Sequence, residues 1–141
     1  MNGTVSLHNI YQEFNQQVKF IKVYIREAHP VDGWWFGKGF MNTLLRLSGS
    51  KVFWSIYDPK TIQERREAAG DCERSLQYGV KTYVDEMDDG VNKAYAAWPT
   101  RLYLINKEGL VEYAGGLGPF GFKPSALKTA IQKLLSGEGK Q

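Results

Sequence analysis

Apolar side chains recur at Leu7, Ile10, Tyr11, Phe14 and Val18, a spacing that predicts a helix over Val5 to Gln17 with that stripe buried. The next stretch, Val18 to Ile25 (VKFIKVYI), is β-branched and aromatic and carries apolar residues at both odd and even positions. That pattern predicts a central parallel strand covered by helices on both faces. Pro30 then bars helix and pushes His29 towards an extended backbone, and Asp32-Gly33 turns the chain. His29 is thereby expected just past the strand's C-terminal end.

Trp35 to Tyr57 is rich in aromatics, glycines and leucines, and Phe40, Leu44 and Leu47 could share one face of a short helix. Asp58-Pro59 predicts a helix start, with Asp58 as N-cap and Pro59 in the first turn. Ile62, Ala69, Cys72 and Leu76 then line one face of a helix to about Gln77, which Gly79 ends. Lys81 to Val84 reads as a short strand, Asp88 to Ala97 as a helix closed by Pro99, and Arg101 to Ile105 as a further strand. Asn106 to Gly109 predicts a hairpin loop with Gly109 at positive φ, and Leu110 to Ala114 returns antiparallel. Pro124 opens a last helix with Leu127, Ala130, Ile131, Leu134 and Leu135 on one face.

The 141 residues, 43% hydrophobic and 23% charged, fit a single domain able to bury a core. One cysteine, Cys72, excludes an internal disulfide, a thiolate-rich zinc site and a CxxC redox pair within the chain. It falls on the apolar helix face, where a cysteine usually packs as an inert small hydrophobe; a resolving thiol is the alternative role. The formal net charge of +3 is scattered along the chain, so no nucleic-acid partner is expected. No window approaches the roughly eighteen consecutive apolar residues of a membrane span. As written, the chain is expected to be cytoplasmic, an N-terminal anchor aside, with Ser136 to Gln141 as a flexible tail.

A Trp98-Pro99-Thr100 run before a strand, a hairpin and a terminal amphipathic helix matches the back half of a thioredoxin-type domain. The front half of that fold is a strand followed by a helix whose N-terminus lowers the pKa of a reactive thiol. Here the first helix is present and the strand before it is not.

The string Tyr24-Ile25-Arg26-Glu27-Ala28-His29-Pro30-Val31-Asp32-Gly33-Trp34 resembles the signature of the iodothyronine deiodinase family. Asp85-Glu86-Met87-Asp88, the run Ala94 to Tyr103 (AYAAWPTRLY) and the run Gly115 to Phe122 (GGLGPFGF) are similar to that family in the same order. The resemblance covers roughly Leu7 to Leu135. It implies an α/β domain over 1–135, with a thioredoxin-like mixed sheet flanked by helices, the first strand missing and an aromatic insertion at 35–57. It also implies reductive chemistry in which a selenolate or thiolate attacks a halogen on an aromatic ring. The expected partners are a small aromatic or halogenated substrate and a thiol reductant, with no other cofactor; a homodimer is open as the assembly.

By this resemblance His29 and Arg101 grip the two ends of an iodothyronine-like substrate, and Trp34 and Pro99 complete the substrate-binding set. Glu27, grouped with His29 as catalytic, would orient His29 or relay a proton. Each has a plainer alternative: His29 as a strand-end cap, Glu27 as a solvated carboxylate, Arg101 as a face residue with a packed stem, Pro99 as a structural cis-proline. The aromatics from Trp34 to Trp54 could simply pack over the sheet, or could cover an aromatic ligand or a partner surface. In the family pattern the nucleophile would fall a few residues before Met1. The expectation is therefore that Met1 is internal and that a selenocysteine codon upstream has been taken for a stop. Two classes follow: a thiol-dependent oxidoreductase of the deiodinase type, whether halide-removing or a general thiol-redox protein, or a non-catalytic thioredoxin-like binding module that keeps the His29 and Arg101 clamp but performs no redox step.

Overall fold

Ser6 begins the first helix, its hydroxyl accepting the Asn9 N–H at 3.2 Å. This computed structural model of the protein describes residues 6–27, 58–76 and 79–137. Helix α1 runs over Leu7–Phe14 and buries Ile10 and Phe14. It stops short of Gln17 because residues 15–17 turn, with the Val18 N–H returning to the Phe14 carbonyl at 2.8 Å. Strand β1 is Lys22–Tyr24 and pairs in parallel with β2, Thr82–Val84.

The strand expected from Val18 is therefore much shorter. Val18 and Phe20 pack against the core instead of joining a ladder, and Phe20 meets Tyr11 edge to face at 5.4 Å. Nor are both faces covered, since Ile21 and Val23 are 57% and 37% exposed.

Helix α2 spans Ile62–Leu76. Its cap is Thr61 rather than Asp58: Thr61 Oγ1 accepts the Glu64 N–H at 3.2 Å, and the Glu64 carboxylate accepts the Lys60 N–H at 2.7 Å. Asp58 is engaged elsewhere, paired with Arg26 at 3.1 Å. The short helix α3, Gly90–Tyr95, is bracketed by Asp89 and Ala96, both in the left-handed region. Strands β3 (Tyr103–Ile105) and β4 (Val111–Ala114) form an antiparallel hairpin. Gly109 takes φ +84 in its loop, and Asn106 Oδ1 accepts the Glu108 and Leu110 N–H groups. Helix α4 covers Pro124–Leu135, as its periodicity predicts.

The core lies where α1 and α4 meet the hairpin, around Ile10, Phe14, Leu104, Leu127 and Ile131. The described strands make two two-stranded sheets, β1–β2 and β3–β4, where a single mixed sheet was expected. Each of the four strands has one edge without a strand partner among the described residues. Lys22 N–H and Tyr24 C=O bond towards β2, so the main chain of Val23 faces the other way, because alternate residues of a strand serve alternate neighbours. Leu102 C=O accepts the Gly115 N–H at 2.8 Å, which by the same alternation turns the main chain of Tyr103 away from β4. Phe20, just ahead of β1, and Leu102, just ahead of β3, pack against the same core.

Candidate active site

The end of β1 and the loop before β3 are joined by one contact between residues far apart in the chain. Trp98 Nε1 donates to the Glu27 carbonyl at 3.4 Å. The Glu27 carboxylate in turn accepts the Tyr24 hydroxyl at 2.8 Å, which fixes it over the strand it follows. The Trp98–Pro99 peptide is cis, and the Trp98 N–H is held by Asn92 Oδ1 at 2.9 Å. Glu27, Pro99 and, two residues on, Arg101 thus gather at one end of the two sheets. His29, Trp34 and the 35–57 insertion lie outside the described residues.

Arg101 is half-buried and its guanidinium is already partly committed. Nε donates to the Gly115 carbonyl at 2.5 Å, while Nη1 reaches the Tyr95 and Ala96 carbonyls at 3.5 and 3.4 Å. It also lies 5.2 Å from the centre of the Tyr103 ring, whose hydroxyl donates to the Tyr95 carbonyl. Arg101 therefore closes the carboxyl end of α3 onto the loop after β4. Its Nη2 has no hydrogen-bond partner among the described residues, leaving a charged donor to offer an anion. The plainer alternative, a face residue with a packed stem, leaves out these carbonyl contacts.

Behind this edge stands a charged network that sequence reading did not find. Arg65 on α2 is buried, pairs with Asp89 at 2.9 Å, and donates to the Asp85 and Glu86 carbonyls at 3.3 and 2.6 Å. The Asp85 carboxylate, also buried, accepts the N–H groups of Glu86, Val91 and Asn92 at 2.9 to 3.0 Å. Arg65 and Asp85 thereby hold the 85–89 loop and the start of α3. That helix delivers Asn92 to Trp98 and two carbonyls to Arg101. Buried ionic groups far apart in sequence leave no periodic trace; the only available sign was the acidic cluster at 85–89.

Cys72 is half-buried on α2, and burial pushes its thiol up from its ordinary value near 9.0, with Lys22 opposing the shift. It is poorly suited to be a thiolate at neutral pH. The Tyr24 phenol is pushed up as well, first by burial and then by its hydrogen bond to Glu27. Both acids stay protonated in the folded chain at pH values where the unfolded chain ionises them. The unfolded state then binds fewer protons, so stability should fall as pH rises from about 9 upward. Urea unfolding at pH 7 and near pH 10 checks this, and Tyr24→Phe with Cys72→Ala should flatten the decline. Among the described residues no three His, Cys, Asp or Glu side chains group as a metal site, and no helix is long and apolar enough to cross a membrane.

Comparison with known proteins agrees with the motifs. The family described as iodothyronine deiodinase matches residues 4–135. The chain is 34% identical over 135 residues to the thyroxine 5-deiodinase of Gallus gallus, covering 91% of this chain and 44% of that protein. It is 29% identical over 137 residues to the thyroxine 5-deiodinase of Sparus aurata, covering 97% and 46%. The enzyme of the same name from Ovis aries is 30% identical over 131 residues, covering 91% and 39%. The chain thus spans less than half the length of these curated relatives. With a mixed α/β architecture and a match over nearly all of its length, the chain belongs to the iodothyronine deiodinase family.

Proposed function

We propose that this chain forms the substrate-binding body of a thiol-dependent deiodinase acting on an iodinated phenol of the iodothyronine class. The observation that carries this, beside the family match, is the placement of Glu27, Pro99 and Arg101 at one end of the two sheets, where Trp98 bonds to Glu27. Arg101 offers a fixed positive charge to a carboxylate on the substrate. His29, two residues past Glu27, is the partner for the phenol end, and Trp34 lies further along the same signature.

The nucleophile in this reading is a thiolate or selenolate on a strand that precedes Met1 in the polypeptide. The edges of β1 and β3 that have no strand partner among the described residues support it, because a strand parallel to β1 and antiparallel to β3 would satisfy both. Its carboxyl end would reach Glu27 and Pro99. The half-buried, proton-retaining Cys72 supports it from the other side.

The nucleophile attacks iodine, the carbon–iodine electron pair remains on the ring carbon, and that carbon takes a proton that comes from the thiol cosubstrate and is relayed by Glu27 or His29. A thiol cosubstrate then displaces iodide from the nucleophile, and a second thiol releases it as the disulfide is formed. The net change is aryl iodide plus two thiols to arene, iodide, a proton and disulfide. Thiol-dependent iodide release by the chain extended upstream of Met1 tests the reading; binding of the iodinated phenol by that chain without release would instead leave a non-catalytic binding module.

A further inference from the structure

Ala96 closes α3 in the left-handed region, at φ 45 and ψ 50. That conformation crowds a Cβ against the neighbouring main chain, so an alanine keeps it only where surrounding contacts offset the cost. The contacts here converge on one residue. The Ala96 and Ala97 N–H groups both donate to the Asn92 carbonyl, the second at 3.1 Å, and the Trp98 N–H donates to Asn92 Oδ1 at 2.9 Å. Three successive main-chain donors past the end of α3 therefore finish on Asn92. Asn92 is itself anchored, because the buried Asp85 carboxylate accepts its N–H at 2.9 Å.

The turn at Ala96 decides what the following residues meet. In a continuing helix the Tyr95 carbonyl would accept the N–H of residue 99, but Pro99 has none. The helix end instead leaves the Tyr95 and Ala96 carbonyls to Arg101, whose Nη1 reaches them at 3.5 and 3.4 Å. Past the turn, Trp98 carries its indole N–H to the Glu27 carbonyl at 3.4 Å.

Glu27 and Arg101 thus both depend on residues 95–98, and the shape of that segment depends on Ala96. The bond from Trp98 to the Asn92 side chain and the cost of the left-handed alanine oppose one another. Removing the first should let the segment relax, and removing the second should let it hold without the side chain.

We propose that Asn92 is a positioning residue of the candidate site: through the left-handed turn it holds at Ala96, it sets Trp98 against Glu27 and the two helix-end carbonyls against Arg101. The proposal rests on the deiodinase reading of that site given above and adds a residue that acts on it through Trp98 and Ala96.

Fluorine NMR of the 141-residue chain labelled with fluorotryptophan tests it, the Trp98 resonance being assigned by its loss in Trp98→Phe. Asn92→Ala should move that resonance towards the position of free fluorotryptophan. Ala96→Val, at an exposed position, should move it the same way, because a β-branched residue resists positive φ more strongly. Adding Ala96→Gly to Asn92→Ala should bring it back, since glycine takes the turn without a Cβ penalty. In the chain extended upstream of Met1, Asn92→Ala should raise KM for an iodinated phenol about tenfold and leave kcat within about twofold, with Ala96→Gly restoring KM. An unmoved Trp98 resonance in Asn92→Ala, or no return with Ala96→Gly, overturns the proposal; should Asn92→Ala not fold, Ala96→Val decides it. A displaced resonance with unchanged KM also overturns it and leaves Asn92 as a helix closure only. No turnover by the unaltered extended chain rejects the deiodinase reading, and the Trp98 resonance then decides the role of Asn92 by itself.

Discussion

Replacing Arg65 with Met is expected to lower folding stability by about 3 to 5 kcal/mol, the range for breaking a buried ion pair from one side. The side chain is 3% exposed and its partner Asp89 only 18% exposed, so water cannot replace the lost donor cheaply. Methionine fills much of the volume, but it leaves the Asp89 carboxylate and the Asp85 and Glu86 carbonyls without their shared donor. Asp89→Asn, which keeps a residue tolerant of φ 58, should recover part of the loss when combined with Arg65→Met, because the uncompensated charge is then gone. Urea unfolding of the two single variants and the double variant measures the coupling. Equal and additive losses would mean that the pair is not the source of the effect. The same variant should loosen Trp98 and Arg101, since α3 carries the contacts of both.

In the chain extended upstream of Met1, Arg101→Ala is expected to reduce kcat/KM by up to about 100-fold for an iodinated phenol that bears a carboxylate, the loss typical of a charge-assisted hydrogen bond. A neutral iodinated phenol should suffer far less. The contrast is needed because Arg101 also ties α3 to Gly115, so a purely structural role would slow both substrates alike. Arg101→Lys should recover only part of the difference. A lysine ammonium cannot hold the Gly115 and Ala96 carbonyls and still present a second donor in a fixed plane. Equal losses on the charged and neutral substrates would remove Arg101 from recognition and leave it as a helix clasp.

Much of the fold was legible wherever one local rule decided it. Pro124 and the spacing of Leu127, Ile131 and Leu134 set α4 to its observed bounds, and Asn106 to Gly109 set the hairpin. Local rules failed where tertiary partners competed. Asp58 has the chemistry of an N-cap, yet Arg26 engages it and Thr61 caps the helix instead. Val18 to Ile25 has strand propensity throughout, but the ladder it joins is only three residues long.

The candidate site divides in the same way. The motifs pointed to Glu27, Pro99 and Arg101, whereas Trp98's bond to Glu27 spans 71 residues and has no counterpart in spacing. Asn92, Arg65 and Asp85 support the site through contacts that only folding creates.

Reductive dehalogenation by a nucleophile other than Cys72 is tested most directly by iodide release from an iodinated phenol with excess dithiol, using the 141-residue chain and the same chain extended by the codons upstream of Met1, each with and without Cys72→Ser. No release is expected from the 141-residue chain, and thiol-dependent release, unchanged by Cys72→Ser, from the extended one. Release by the 141-residue chain that disappears with Cys72→Ser, or none from the extended chain, would contradict it.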